Sequence, residues 1–144
     1  MIILDSYAVL AFLKGEWAAD RVEQLIAAEE NTALTALGLA EVLDHLVRLA
    51  GADPDEAVLD VAQLGLAPPS PVEAGLAMQA GLLRARHYHR RDRAVSLADC
   101  VAAVAARPVG SSLATADPHL LNLCRDEGIE TIPLPDSSGH TWSP

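Results

Sequence analysis

Short apolar runs alternate with longer segments of helical periodicity along almost the whole chain. Such alternation is typical of βα units, in which helices join parallel strands and cover the sheet. The sequence therefore predicts an α/β fold, a single domain with a central parallel β-sheet flanked by helices on both faces. The predicted strands are residues 2–4, 32–34, 112–115 and 130–132, and the predicted helices are residues 6–13, 17–30, 36–50, 53–65, 73–86, 96–106 and 117–127.

The length of 144 residues corresponds to about one domain. We expect that domain to span residues 1–134. Residues 135–144 carry turn-forming residues and no periodicity, so we expect a loose C-terminal tail.

Charge and composition exclude several classes of protein. A net charge of −10 argues against broad, nonspecific coating of nucleic acid, which depends on neutralising phosphates. No uncharged apolar run approaches the roughly 18 residues of a membrane span, so we expect no membrane association. The first residues lack a basic segment and include Asp5, which argues against a secretory signal and favours a cytoplasmic protein. Cys100 and Cys124 fit no zinc spacing and are expected to be reduced core thiols.

Three aspartates stand at predicted helix starts. Asp5 and Asp117 each follow a strand and precede a helix, and Asp99 lies three residues after Ser96, as in a capping box. Each could therefore be only a helix cap. However, in an open parallel sheet the strand-to-helix junctions meet at the carboxyl edge, where ligands bind. Capping and ligand binding are compatible, and the sequence leaves both open.

Asp99 is the most informative of these acids. The segment 97–106 is apolar on every face except at this carboxylate, which predicts a buried helix. A buried carboxylate needs a partner or a metal ion, and the nearest cations along the chain, Arg93 and Arg107, lie beyond either end of the segment. Residues 1–10 likewise contain no Lys or Arg to pair with Asp5. Carboxylates without local cations favour a hard divalent cation such as Mg²⁺.

Glu41 gives a different signal. On a helical wheel it falls opposite the apolar stripe of its segment, together with Asp44, His45 and Arg48. This position predicts a solvated charge.

The motifs around these acids, taken in order, resemble those of PIN-domain ribonucleases, specifically the VapC-like toxins of bacterial toxin–antitoxin pairs. The motifs are Ile2-Ile3-Leu4-Asp5-Ser6, Leu39-Ala40-Glu41-Val42, Ser96-Leu97-Ala98-Asp99-Cys100 and Thr115-Ala116-Asp117. The resemblance implies a metal-dependent endoribonuclease that hydrolyses RNA phosphodiester bonds as the toxin of a type II toxin–antitoxin system.

The resemblance also implies the site and the partners. Asp5, Glu41, Asp99 and Asp117 would form the catalytic metal site for Mg²⁺, with Mn²⁺ as a substitute. Ser6 and Thr115 would supply supporting hydroxyls. The partners would be a cognate antitoxin protein and an RNA substrate, and the chain would form a homodimer. The family often has a hydroxyl residue two positions after the first aspartate, and here that residue is Tyr7.

A basic segment precedes Asp99. Its arginines are candidate RNA contacts that would guide phosphates toward Asp99, and the alternative is a solvated helix end. They are Arg84, Arg86, Arg90, Arg91 and Arg93. His119, close after Asp117, is expected to be a surface histidine.

Two rival functions remain open. One is a catalytically silent PIN-like interaction module that binds a basic partner through its acidic groove. The other is a phosphohydrolase with Asp5 as nucleophile, which is disfavoured because Tyr7 stands where a second acid is common and Lys14 is the only lysine.

Overall fold

The computed structural model describes residues 1–28 and 31–144. Within them, strands β1 (Ile2–Leu4), β2 (Thr32–Ala33), β3 (Ser112–Thr115) and β4 (Thr131–Pro133) form one parallel sheet in the order β2-β1-β3-β4. The helices are α1 (Ser6–Lys14), α2 (Ala19–Ala27), α3 (Ala36–Asp44), α4 (Pro54–Ala62), α5 (Ala74–His87), α6 (Leu97–Ala105) and α7 (Pro118–Glu127). The predicted α/β fold is confirmed.

Successive side chains of a strand point to opposite faces of the sheet, and both faces are covered. Ile2 and Leu4 pack into a core formed largely by α1 to α4. Ile3 and Leu113 pack into a second core formed largely by α5, α6 and α7. The predicted arrangement of helices on both faces is therefore confirmed. Cys100 and Cys124 are free and buried in the second core, as predicted.

Two helices differ from their predicted bounds. The helix predicted over residues 17–30 is observed as α2, and Glu29 and Glu30 lie outside the described residues. The helix predicted over residues 36–50 is α-helical to Asp44 and continues as a π-helical turn, His45–Leu49, in which the Ala50 N–H donates to the His45 carbonyl oxygen (3.0 Å). In the described part of the chain, no helix has the combined length and apolar character that a membrane crossing requires.

The C-terminal segment is more ordered than its lack of periodicity predicts. Pro135 pairs with Thr141, and the Asp136 carboxylate accepts the N–H groups of Ser138 (2.8 Å) and His140 (3.0 Å). The Tyr7 hydroxyl donates to the Pro135 carbonyl oxygen (2.9 Å). Short-range turns and one long-range hydrogen bond thus hold a segment that we expected to be loose. The predicted domain boundary after residue 134 stays a prediction.

Candidate functional site

The carboxyl edge of the sheet contains a crevice between β1 and β3. From β1 the chain goes first to β2 on one side, and it later returns to β3 on the other side. Such a switch point separates the helices that leave the two central strands, and ligands bind there in open α/β sheets. Asp5 follows β1 and Asp117 follows β3, so both lie at this edge. The Asp5 N–H donates to the carbonyl oxygen of Ala114 in β3 (3.2 Å).

Asp5 is the buried acid of the crevice. Asp5 is 9% exposed, and its side chain caps α1 by accepting the Ala8 N–H (2.8 Å). Burial, together with the nearby carboxylates of Asp99 and Asp117, raises the pKa of Asp5 to about 7, although the Thr115 hydroxyl and the Ala8 N–H both act to lower it. Asp5 therefore changes charge near neutral pH in the metal-free protein.

Asp99 lies in the first turn of α6, where the predicted capping box is present. The Ser96 N–H donates to Asp99 Oδ2 (2.8 Å), and the Asp99 N–H donates to Ser96 Oγ (3.0 Å). Burial of this half-buried side chain and the charge of Asp117 raise the pKa of Asp99, while the hydrogen bonds to Ser96 and the charge of Arg84 oppose the rise.

The cation whose charge acts on Asp99 is not one of those that the sequence suggests. Arg84, on α5, is the arginine that acts on the Asp99 carboxylate. Arg93 and Arg107 instead bind acids at the far end of α7, at 2.8 and 3.3 Å. The reason is that α5 packs along α6, which brings a residue fifteen positions earlier in the chain within reach of Asp99.

Glu41 belongs to the same crevice, although the helical wheel predicts a solvated charge. Glu41 is exposed on α3, yet the Ser6 hydroxyl is near enough to act on the pKa of its carboxyl, which it lowers. Partial burial and the charge of Asp99 raise the pKa of Glu41. α3 contacts both α1 and α6, and this packing brings Glu41 within reach of the charge of Asp99 on α6. The wheel correctly places Glu41 outside the core but misses this crevice.

The Thr115 hydroxyl connects the two strand-end acids. It accepts the Asp117 N–H (3.1 Å) and acts to lower the pKa of the Asp5 carboxyl. The Asp117 side chain caps α7 by accepting the His119 N–H (2.9 Å). Both hydroxyls that the sequence singles out, Ser6 and Thr115, therefore act on the pKa of a carboxyl group in the crevice.

The donor set fits a hydrated divalent cation. In residues 1–28 and 31–144, no three acidic, histidine or cysteine side chains are close enough to hold a metal ion by themselves. Mg²⁺ does not need such a cage, because it keeps several waters and binds through one or two carboxylates together with substrate phosphates. The carboxylates of Asp5 and Asp99 are partly desolvated and repel each other, and a cation would relieve both effects.

Comparison with known proteins identifies the family. The model of the PIN domain matches residues 2–126. The chain belongs to the PIN domain family. A comparison of its sequence with curated proteins finds no match.

Two solved structures share the fold of this PIN domain. FitAcB from Neisseria gonorrhoeae is 18% identical, with a TM-score of 0.66 over 92% of this chain and 96% of that chain. VapC20 from Mycobacterium tuberculosis, described as a sarcin-ricin loop cleaving toxin, is 20% identical, with a TM-score of 0.65 over 85% of this chain and 94% of that chain. At these identities the likeness shows the fold alone.

The basic segment of this PIN domain divides into two groups. Arg84 donates to the Val95 carbonyl oxygen (2.9 Å), Arg86 binds Glu127 (3.1 Å), and Arg93 binds Asp126 (2.8 Å). These three arginines are engaged within the domain. Arg90 and Arg91 are exposed in the turn that follows α5.

An apolar cleft of about 360 Å³ lies on another part of the domain, between α3, α4 and the loop after α4. Its lining includes Leu39, Leu43, Val58 and Val61, and no titratable side chain of the described residues lines it. It therefore offers no acid–base or metal chemistry, and the acidic crevice remains the candidate for catalysis.

Proposed function

We propose that this PIN domain is a metal-dependent endoribonuclease that acts as the toxin of a type II toxin–antitoxin system. The observation that carries the proposal is the buried Asp5 at the switch point of the sheet, in electrostatic contact with Asp99 and Asp117. Membership of the PIN family supports nuclease activity. The fold likeness to VapC20, a toxin by its description, supports the toxin role.

The carboxylates have separate roles in this proposal. Asp5 and Asp99 would hold the principal Mg²⁺ or Mn²⁺ ion, Glu41 would bind it directly or through water, and Asp117 would tune it or hold a second ion. When bound, a divalent cation offsets the charge that builds on the phosphoryl oxygens and lowers the pKa of a water. The chain's own contribution is to hold these oxygens in place through the Thr115 and Ser6 hydroxyls and the helix caps.

The same crevice would bind the partners of this PIN domain. An acidic groove in a chain of net charge −10 suits a basic segment of a cognate antitoxin, which would block access to the acids. The RNA substrate would approach the same edge. Homodimer formation and a cytoplasmic location complete the proposal; the homodimer rests on the family resemblance, and the location rests on the two reduced core thiols.

The decisive experiment compares cleavage of total bacterial RNA by wild type and Asp99→Asn, with Mg²⁺, with Mn²⁺ and with EDTA. We expect wild type to cleave only with a divalent cation and Asp99→Asn to lose cleavage by about 100-fold, since the amide lacks the negative charge that attracts the cation. The fold should survive because an asparagine still accepts the Ser96 N–H.

The matched control is Asp60→Asn, which removes an exposed acid of α4 outside the crevice and should cleave like wild type. Full cleavage by Asp99→Asn would exclude Asp99 as a catalytic residue. Intact RNA in every wild-type reaction would instead favour the silent interaction module.

A further inference from the structure

We propose that the turn at residues 89–93 is a preformed clamp for the RNA backbone, in which Arg90 and Arg91 contact phosphates beside the acidic crevice. This inference rests on the proposed ribonuclease function. It adds which basic side chains meet the substrate and which residues hold them in position.

The turn is closed by its own hydrogen bonds. The N–H groups of His89 and Arg93 each donate to the other residue's carbonyl oxygen, both at 3.0 Å. His89 Nδ1 accepts the N–H groups of Arg91 (3.2 Å) and Asp92 (3.1 Å) from inside the turn. Arg90 and Arg91 are thereby held at the tip before any ligand arrives, which reduces the entropy lost on binding.

Charge pairing separates these two arginines from their neighbours. Arg86 and Arg107 bind Glu127, and Arg93 binds Asp126. Within residues 1–28 and 31–144, neither Arg90 nor Arg91 has a carboxylate within 4.0 Å, and the Asp92 carboxylate lies 3.5 Å from His89 Nδ1. In a chain with twice as many acids as bases, two adjacent cations that pair with no carboxylate of the described residues are suited to a polyanion.

The turn is fastened to the helix that carries Asp117. His119 donates its backbone N–H to Asp117 Oδ1 (2.9 Å), and its ring Nδ1 contacts the Asp92 carbonyl oxygen (3.1 Å), which requires Nδ1–H as donor. The ion pair from Arg93 to Asp126 fastens the other end of the turn to the same helix. His119 is therefore a positioning residue that links the turn to the first turn of α7.

RNA is the occupant that this placement favours. Acids that cut a polyanion repel it, so cations beside the crevice must hold the phosphates that flank the reacting one. An arginine pair at the tip of a rigid turn offers several N–H donors with a fixed geometry for phosphate oxygens.

Binding without cleavage tests the proposal. The full chain carrying Asp99→Asn is titrated with a fluorescent single-stranded RNA in EDTA, at KCl concentrations from about 50 to 200 mM. Each phosphate contact to a single strand contributes about 0.7 to the slope of log K against log salt. We expect Arg90→Ala and Arg91→Ala to reduce the slope by about 0.7 each and together by about 1.4.

Arg21→Ala is the matched control, because Arg21 is an exposed arginine of α2 and its loss changes the net charge equally. It should leave the slope unchanged. His119→Ala should weaken RNA binding several-fold, and His119→Asn, which keeps a side-chain N–H donor, should restore most of that loss.

An unchanged slope in both arginine variants would overturn the proposal, as would an equal reduction in Arg21→Ala. Arginine-dependent binding of poly-glutamate without binding of RNA would assign the turn to an acidic protein and would also overturn it. If the arginine variants reduce the slope as expected but wild type cuts no RNA, the clamp would be supported and the ribonuclease function rejected.

Discussion

Ionised Asp5 destabilises the metal-free protein, and Asp5→Asn should remove that effect. Burial raises the pKa of Asp5 from 3.8 to about 7, with help from the charges of Asp99 and Asp117. Because the folded pKa is the higher one, the folded state keeps a proton that the unfolded chain releases. The contribution to stability is therefore full below about pH 4 and is lost as the pH rises through about 7. At about 1.4 kcal/mol per pKa unit, the loss is about 4 kcal/mol at pH 8 and about 2 kcal/mol at pH 5.

Urea unfolding in EDTA at these two pH values measures the effect. Asparagine is as good an N-cap as aspartate and can still accept the Ala8 N–H, so the substitution retains the start of α1. We expect Asp5→Asn to be more stable than wild type by about 4 kcal/mol at pH 8 and by about half of that at pH 5. Asp53→Asn, at the exposed N-cap of α4, is the matched control and should change stability by less than about 0.5 kcal/mol.

Two results would refute this reasoning. The first is an Asp5→Asn variant that is no more stable than wild type at pH 8. The second is a gain in the free energy of unfolding that is equal at both pH values. Mg²⁺ gives an independent measurement, because a ligand that binds only the folded state stabilises it by about 2.7 kcal/mol at one hundred times its Kd. We expect that stabilisation in wild type and its loss in Asp5→Asn.

Three further predictions concern the fold. Tyr7→Phe removes the hydrogen bond to the C-terminal segment, so it should lower the free energy of unfolding in urea by about 1 kcal/mol and speed proteolysis of that segment. Unchanged proteolysis would show that the bond does not hold the segment. Burial raises the pKa of Cys100 to about 11 and of Cys124 to about 12, so a thiol reagent should label neither residue before the protein unfolds. Rapid labelling of the native protein at pH 8 would contradict their burial. Gly128→Ala should lower the free energy of unfolding by about 1 kcal/mol, because alanine is strained at the φ of +69° that Gly128 adopts, whereas Gly75→Ala on α5 should not destabilise the protein. Equal effects of the two substitutions would refute this argument.

Helix starts were predictable because their signals are local. Asp53 followed by Pro54, and Ser96 followed by Asp99, each form the cap that their sequence indicates. A capping side chain binds a backbone N–H two or three residues away, so neighbouring residues contain the information. The same holds for Asp117, which caps α7.

Contacts between distant elements were not predictable in this way. The wheel places Glu41 on the side of α3 away from the core but contains nothing about α1 and α6, the neighbouring helices that carry Ser6 and Asp99. Arg84 reaches Asp99 only because α5 packs along α6. The order of the C-terminal segment depends on Tyr7, more than one hundred residues earlier. Such contacts depend on which surfaces meet in the folded chain, and a single sequence contains few signals for that.

The pairing of β1 with β3 has a consequence for the order of synthesis. The strand that brings Asp117 beside Asp5, β3, follows β1 by more than one hundred residues, and the two strands are hydrogen-bonded neighbours. Chains emerge from the ribosome with the N-terminus first. A nascent molecule therefore lacks an assembled acidic crevice until more than one hundred residues after β1 have been made, so its ribosome is not exposed to its proposed activity before that point.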